Sequence, residues 1–364
     1  MIITYAFFLF LHLHPFFCYN QYMDAKESIT TKLQHLTKEQ LQIIAKAHQL
    51  NISENSTKEE ISESIGNILL DHFKADTEFF LLTDLYFYAS IIVNYFQKWY
   101  SEEDIDFLQS ILNTANYSIQ HYDGQMLFDK GYLAVLTDKD NKERIVMHSH
   151  LTEYFLDDIK EIVEHCIINE KTIDYLTALS NLYGCFTVEP FLTVWELYSK
   201  EERWTKEKMV NFCNRMNERI ITCWYNGQYI INPMIKEEEL DELLEQTADK
   251  PYYTPTENEI KIYTHNLIDK STKAYQKMTS YFKKHKSGLK PRAIRELTSR
   301  LALAFKFNSK PDDIMKILNS MDYKFKNEKD REAFTEMIEF CTNNTRKWIH
   351  RGATAEEFSQ EQEN

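Results

Sequence analysis

Residues Ile173 to Ile231 read IDYLTALSNLYGCFTVEPFLTVWELYSKEERWTKEKMVNFCNRMNERIITCWYNGQYII. The spacing of Ile173, Leu176, Leu179 and Tyr183 predicts a helix that ends at Gly184. Thr187 is placed to cap a second helix through about Ser199, with Pro190 tolerated in its first turn. Thr205 starts a third, from Lys206 to about Asn217. Two apolar runs, Ile220–Tyr225 and Gln228–Ile231, then flank Asn226-Gly227, the dipeptide best suited to a two-residue hairpin. Three helices and a small hairpin make this a mainly helical region with a minor sheet.

That order resembles a winged helix. In the DNA-reading versions of that fold the third helix enters the major groove, and here it carries Lys206, Lys208 and Arg215, with Arg219 just beyond. Glu207, Glu218, Met209, Phe212 and Met216 interrupt the basic face. Winged helices also serve as protein-docking modules, and both readings stand at this point.

Toward the N-terminus a similar arrangement appears. A strongly aromatic stretch, Phe79 to Tyr100, has the spacing of a buried helix rather than a stacking platform, and Ser101 with Asp104 opens another helix through about Asn113. Leu133–Leu136 and Arg144–Met147 read as two strands around the polar turn Asp138 to Asn141. Further back, Leu36, Leu41, Ile44 and Ala45, a loop from Leu50 to Ser56, and Ile61, Ile65 and Leu69 predict helix, loop, helix. The string LTKEQLQIIAKAHQLNISENSTKEEISESI resembles the small N-terminal domain of the transcription terminator Rho and related SAP modules. That resemblance implies a link to transcription or its termination. Lys38, Lys46, His48 and Lys58 are its candidate phosphate contacts, among Glu39, Glu59 and Glu60. Met1–Tyr19 is apolar without the grammar of a targeting signal, and is expected to be translated upstream sequence with the start at Met23. A membrane anchor or export signal is the alternative.

Toward the C-terminus, Lys236–Lys250 is acidic and Pro251-Tyr-Tyr-Thr-Pro255 marks a boundary. Thr256 and Glu259 form a capping box for one long helix to about His285. Pro291 begins the next, to Phe307, and helices Asp312–Met321 and Glu328–Thr342 follow. This region is locally basic: Lys270, Lys273, Lys277, Lys283, Lys284, Lys286, Lys290, Arg292, Arg295 and Arg300 are opposed only by Asp269 and Glu296. Tyr275 and Tyr281 lie close enough to stack on bases if exposed. The competing expectation is a basic helix docked on the acidic Glu237–Glu245 segment or on a partner.

The chain closes on NNTRKWIHRGATAEEF, Asn343–Phe358. Thr345, Arg346 and Trp348 read as a helix end that buries an indole, Gly352 as its left-handed stop, and Thr354 with Glu357 as a final capping box. The segment resembles one that recurs in a group of functionally uncharacterised proteins of low-GC Gram-positive bacteria, often before a SEC-C zinc-binding tail. Asn343, Asn344, Thr345, Arg346, Trp348, Gly352, Thr354 and Glu357 carry the match. No cysteine follows Cys341, so that tail's zinc chemistry is not expected here.

A net charge of −14 argues against wholesale coating of nucleic acid, though not against a local basic surface. Six cysteines at unrelated spacings fit a reducing cytoplasm. There is no Walker loop, G-x-S-x-G, H-E-x-x-H or dinucleotide fingerprint, and seven glycines are few for a phosphate-cradling enzyme. Cys185, after Gly184, has no histidine positioned to activate it and reads as a packed thiol. His148 and His150, with Glu153 or His165, form a weak metal candidate and the basis of one enzymatic alternative.

The expectation is therefore a mainly α, multi-module, cytoplasmic binding protein without cofactor, catalytic residue or small-molecule substrate. Its modules are 23–72, 75–155, 156–236 and 256–364, with 1–22 outside the mature chain and 237–255 an acidic linker. Nucleic acid, DNA or RNA, is the first partner class and protein the second. A membrane enters only if residues 1–20 are retained.

Overall fold

The computed structural model describes residues 28–114, 125–137, 143–201, 204–217, 219, 222–285 and 289–363. The chain divides into two compact units, Met1–Glu170 and Lys171–Asn364. Both are mainly helical, with one small antiparallel sheet each.

In the first unit α1 (Ile29–Leu33), α2 (Lys38–Ala47), α3 (Lys58–Gly66) and α4 (Leu69–Thr77) come first. Thr37 with Gln40 and Thr57 with Glu60 form reciprocal capping boxes, which fix where α2 and α3 begin. Leu41, Ile44, Ile61 and Ile65 are buried on their facing sides, as the helical spacing predicts. α5 (Leu82–Ile91) runs into a π-helical turn, Ile92–Phe96, and a 3₁₀ turn, Gln97–Trp99. Phe80, Tyr86, Phe87 and Tyr88 are core, while Tyr95 and Trp99 are about half exposed. α6 (Glu102–Asn113) starts at Ser101, whose hydroxyl accepts the Asp104 N–H. After α7 (Gln125–Asp129), β1 (Leu133–Thr137) and β2 (Glu143–Met147) pair from Leu133 opposite Met147 to Thr137 opposite Glu143. The turn expected at Asp138–Asn141 lies outside the described residues. α8 (Ser149–Asp157) and α9 (Ile159–Tyr183) follow.

A part-buried set of polar contacts runs through this unit. His48 Nδ1 lies 2.8 Å from His72 Nδ1, and His48 Nε2 lies 2.8 Å from the Lys130 carbonyl. A carbonyl only accepts, so His48 Nε2 carries a hydrogen. Lys130 Nζ meets Asp76 at 2.5 Å, and the Tyr132 hydroxyl donates to the same carboxylate. His48 is thus a core residue and no phosphate contact. Its imidazole is held below the usual range, mainly by burial.

α9 is a single helix of 25 residues that starts fourteen positions before the expected Ile173; its residues from Lys171 belong to the second unit. There it is followed by β3 (Cys185–Phe186), α10 (Val188–Tyr198), α11 (Lys206–Met216), β4 (Trp224–Tyr225) and β5 (Ile230–Ile231). The sheet order is β3-β5-β4, all antiparallel. Asn226 makes the hairpin: its side-chain oxygen accepts the N–H groups of Gln228 and Tyr229, and Gly227 sits at φ 96°. The two-residue β3 was not visible in the sequence, because Cys185-Phe186 is too short to show alternation.

The acidic stretch read as a linker is a helix, α12 (Glu237–Thr247), whose Leu240 packs into a cluster with Cys185, Ile231, Ile235 and Trp348. The expected long helix from Thr256 to His285 is two: α13 (Glu257–His265) and α14 (Lys273–Lys284). Local side-chain bonds break it. Asp269 accepts the N–H and hydroxyl of Ser271, both at 2.7 Å, and Thr272 then caps α14 at the Tyr275 N–H. α15 (Pro291–Lys306), α16 (Pro311–Ser320) and α17 (Glu328–Asn344) pack with α14 around Met278, Phe282, Leu297, Leu301, Phe334 and Cys341. A 3₁₀ turn, Trp348–His350, precedes α18 (Ala355–Glu363).

The closing segment is a structural latch. Trp348 is buried, and its indole N–H donates to the Asn181 carbonyl at 3.1 Å. Gly184, at φ 80°, passes under that ring so closely that a Cβ there would lie 2.7 Å from it. Arg346 bonds Glu259 and Glu357, each at 2.8 Å, and lies 3.6 Å from the centre of the Tyr253 ring. Thr354 and Glu357 make the expected reciprocal cap.

Candidate nucleic-acid interface

The basic residues from Lys270 to Arg300, Lys286 apart, lie on α14 and α15 and immediately before them. α14 turns Ala274, Met278, Tyr281 and Phe282 inward. Its remaining faces carry Lys273, Lys277, Lys283 and Lys284, all exposed, with Lys270 exposed in the preceding turn. α15 buries Ile294, Leu297, Thr298, Leu301 and Phe305, which leaves Lys290, Arg292, Arg295 and Arg300 exposed. Lys286 lies outside the described residues.

The cations differ in what surrounds them. Lys277 Nζ sits 4.0 Å from the centre of the Phe340 ring, and Arg300 pairs with Glu296 at 2.6 Å, one helical turn away. Among the described residues no carboxylate lies within 4.0 Å of Lys270, Lys273, Lys283, Lys284, Lys290, Arg292 or Arg295. Among the described residues no ion pair joins this surface to the acidic helix α12, where Glu239 pairs with Lys236. Lys283 and Lys284 end α14, Lys290 is the N-cap of α15, and Arg292 and Arg295 lie within its first five residues, so five cations stand at the facing ends of consecutive helices.

The helix dipole treats the two halves of this group differently. Lysines in the last turn of α14 are favourable there, whereas cations in the first turn of α15 oppose the positive end of that helix. α15 has no acidic residue in its first turn and no side-chain cap. By contrast α3, α12, α16 and α17 all open with carboxylates. The α15 half of the tip is therefore charged against the local interest of its helix.

Tyr275 and Tyr281 do not join this surface as stacking residues. Tyr281 is buried and donates to Asp330, while the Tyr275 hydroxyl meets Ser299 at 3.0 Å. Helical spacing explains the outcome: Tyr281 follows Ala274 and Met278 on the inner face. His285, the last turn's third basic group, is likewise committed, with Nδ1 2.5 Å from Asp330.

The second candidate surface is α11. Met209, Phe212, Cys213 and Met216 are buried, and Lys206, Lys208 and Arg215 are exposed on the other side. Lys206 bonds Glu189 at 2.5 Å, and that hydrogen bond is the first cause holding the glutamate low, at about 2. The pair is largely solvated, so a phosphate could displace it at small cost.

His148 and His150 are not brought together. His148 is buried and its ring nitrogens have no hydrogen-bond partner, whereas His150 is exposed and meets Glu153 at 3.4 Å. Burial and then the charge of Lys32 push the His148 imidazole down to about 3, only partly offset by the Gly131 backbone nearby. No group of three His, Cys, Asp or Glu side chains among the described residues is placed to hold a metal ion. Cys185 is buried, and burial pushes its thiol up to about 11, the opposite of an activated nucleophile.

One group of interest was missed in the sequence. Lys306 is 2% exposed at the end of α15, its Nζ 5.0 Å from the centre of the Tyr263 ring. It lines a small cavity of about 20 Å³ with Tyr263, Asp269, Thr272 and Arg346. The signal was present, since Lys306 falls one turn after Ala302 on the buried face.

No helix among the described residues is long and apolar enough to cross a membrane. Comparison with protein families, with curated proteins and with solved structures finds no match to this chain.

Proposed function

We propose that the chain is a non-catalytic regulatory protein that binds nucleic acid through the tip formed by α14 and α15. The observation that carries this reading is the set of five exposed cations, Lys283, Lys284, Lys290, Arg292 and Arg295, with no carboxylate in pairing range among the described residues. A folded protein of net charge −14 has ample acidic residues to neutralise such a group, yet none among the described residues lies in pairing range of it. Unneutralised cations on rigid helix ends attract phosphate and release its counterions. The helix and strand order around β3, β4 and β5, with Lys206, Lys208 and Arg215 on α11, supports a winged-helix-like second contact. The resemblance of the N-terminal helices to Rho and SAP modules points the same way and toward transcription.

A second reading, a protein-docking adaptor, is favoured by the half-exposed Tyr95 and Trp99 on the irregular end of α5. Fluorescence anisotropy of the full chain with labelled nucleic acids, titrated across salt, separates the two. Binding that weakens steeply as salt rises supports phosphate contact. Absence of binding at low salt to every polymer tested sinks the first reading and leaves the adaptor.

A further inference from the structure

The tip formed by α14 and α15 is rich in charge and poor in exposed rings. Of the two tyrosines on α14, one is buried under Asp330 and the other holds Ser299. The Phe340 ring is covered by Lys277. Proteins that grip single strands combine basic grooves with aromatic faces on which unstacked bases rest. Here the cations stand without such faces among the described residues.

The cations are also held by rigid elements. Tyr281 and Phe282 anchor the end of α14, and Ile294 and Leu297 anchor the start of α15, in one common core. The backbone that carries these side chains is therefore ordered before any ligand binds. A duplex presents its phosphates already ordered, whereas a single strand must be ordered on binding, with no stacking to offset the entropy lost. The uncapped first turn of α15 adds backbone N–H groups beside Lys290 and Arg292.

We infer that this tip recognises the phosphate backbone of a double helix, independently of base sequence, rather than a single strand. The inference rests on the nucleic-acid reading above and narrows it to a ligand class. The shared chemistry is the paired phosphate ladder, which duplex DNA and duplex RNA both present.

The test is competition binding by the full chain, with a labelled 20-base-pair duplex displaced by unlabelled duplex DNA, duplex RNA or single strands of equal phosphate number. Duplexes are expected to compete at least about tenfold better than single strands, and log K against log salt to extrapolate to negligible binding near 1 M salt. Double reversal, Lys283→Glu with Lys284→Glu, is expected to weaken duplex binding by about tenfold or more while the circular dichroism spectrum stays unchanged. The two duplex arms tell DNA from RNA. Tighter binding of single strands, or strong binding that persists at 1 M salt, overturns the inference but leaves the nucleic-acid reading standing. Failure of every polymer to bind overturns both. Duplex binding unaffected by the double reversal removes this tip as the site.

Discussion

Arg346 and Glu259 stand 87 positions apart, yet the guanidinium of one places both Nε and an Nη 2.8 Å from a single carboxylate oxygen of the other. Glu259 is at the same time the N3 residue of the α13 capping box. The bond therefore ties the start of one helix to the end of another, and Glu357 does the same for α18. Removing the arginine leaves two half-buried carboxylates without their shared cation, held only by the Tyr253, Thr256 and Thr354 donors. Arg346→Ala is expected to cost about 3–5 kcal/mol, read as the shift of a urea midpoint. Arg346→Lys keeps the charge but cannot reach both carboxylates, and should recover only part of that loss.

Trp348 and Gly184 make a second contact that depends on shape alone. Trp348→Ala is expected to lose about 3–5 kcal/mol, because the indole fills the space above the end of α9. Gly184→Ala should also destabilise, through the clash with that ring and through the positive φ of the position. In the double variant the clash is gone, so the two losses should sum to more than the pair costs. Additive losses in a double-mutant cycle would remove the contact from the account.

Much of this latch was readable beforehand. Trp348 as a buried indole and Thr354 with Glu357 as a cap follow from local rules that side chains obey within one turn, whereas the helix expected to stop at Gly352 ends at Asn344 in an extended cap, and the left-handed cap of the 3₁₀ turn is Arg351, with Gly352 at positive φ after it. What Arg346 bonds could not be read, because Glu259 and Glu357 meet it only through the tertiary fold. The break between α13 and α14 was missed for the opposite reason. Asp269, Ser271 and Thr272 favour local bonds over the helix, and a periodic pattern on both sides hid them. For the candidate interface, the charged residues were legible as a cluster, but their exposure was not. Tyr281 looked available for stacking until its place on the inner face of α14 was known.

Asp330 gives a pH prediction in the acid range. It is buried, which works to raise its carboxyl, but the Lys326 N–H, the Tyr281 hydroxyl and His285 outweigh burial and hold it below the ordinary value. Its contribution is therefore complete above the unfolded value of about 3.9 and is lost as pH falls through the lower folded value. Asp330→Asn should cost about 2 kcal/mol at neutral pH. The gap between wild type and variant should close on acidification, as measured by urea unfolding at a series of pH values. A gap that stays constant down to strong acid would contradict this assignment.

Lys306 gives the reverse sign. Burial, and next the Arg346 charge, pull its ammonium down from 10.5 to about 7. Below that value both folded and unfolded chains carry the proton, and the cost of burying the charge is present in full. Between about 7 and 10.5 the unfolded chain binds a proton that the folded chain has released, so stability must rise with pH across this window. Buried cysteines oppose the trend. Cys213 and Cys223 are pushed up to about 12, mainly by burial, and each favours unfolding as pH climbs past its free-thiol value. The raw pH profile thus mixes both signs, whereas the difference between wild type and Lys306→Met cancels the cysteines. That variant keeps the apolar stem over Tyr263 and deletes the titrating group. It should be more stable than wild type near pH 7, with the advantage shrinking steadily toward pH 10. An advantage that does not change with pH would mean that Lys306 keeps its proton in the fold, and would overturn this reading.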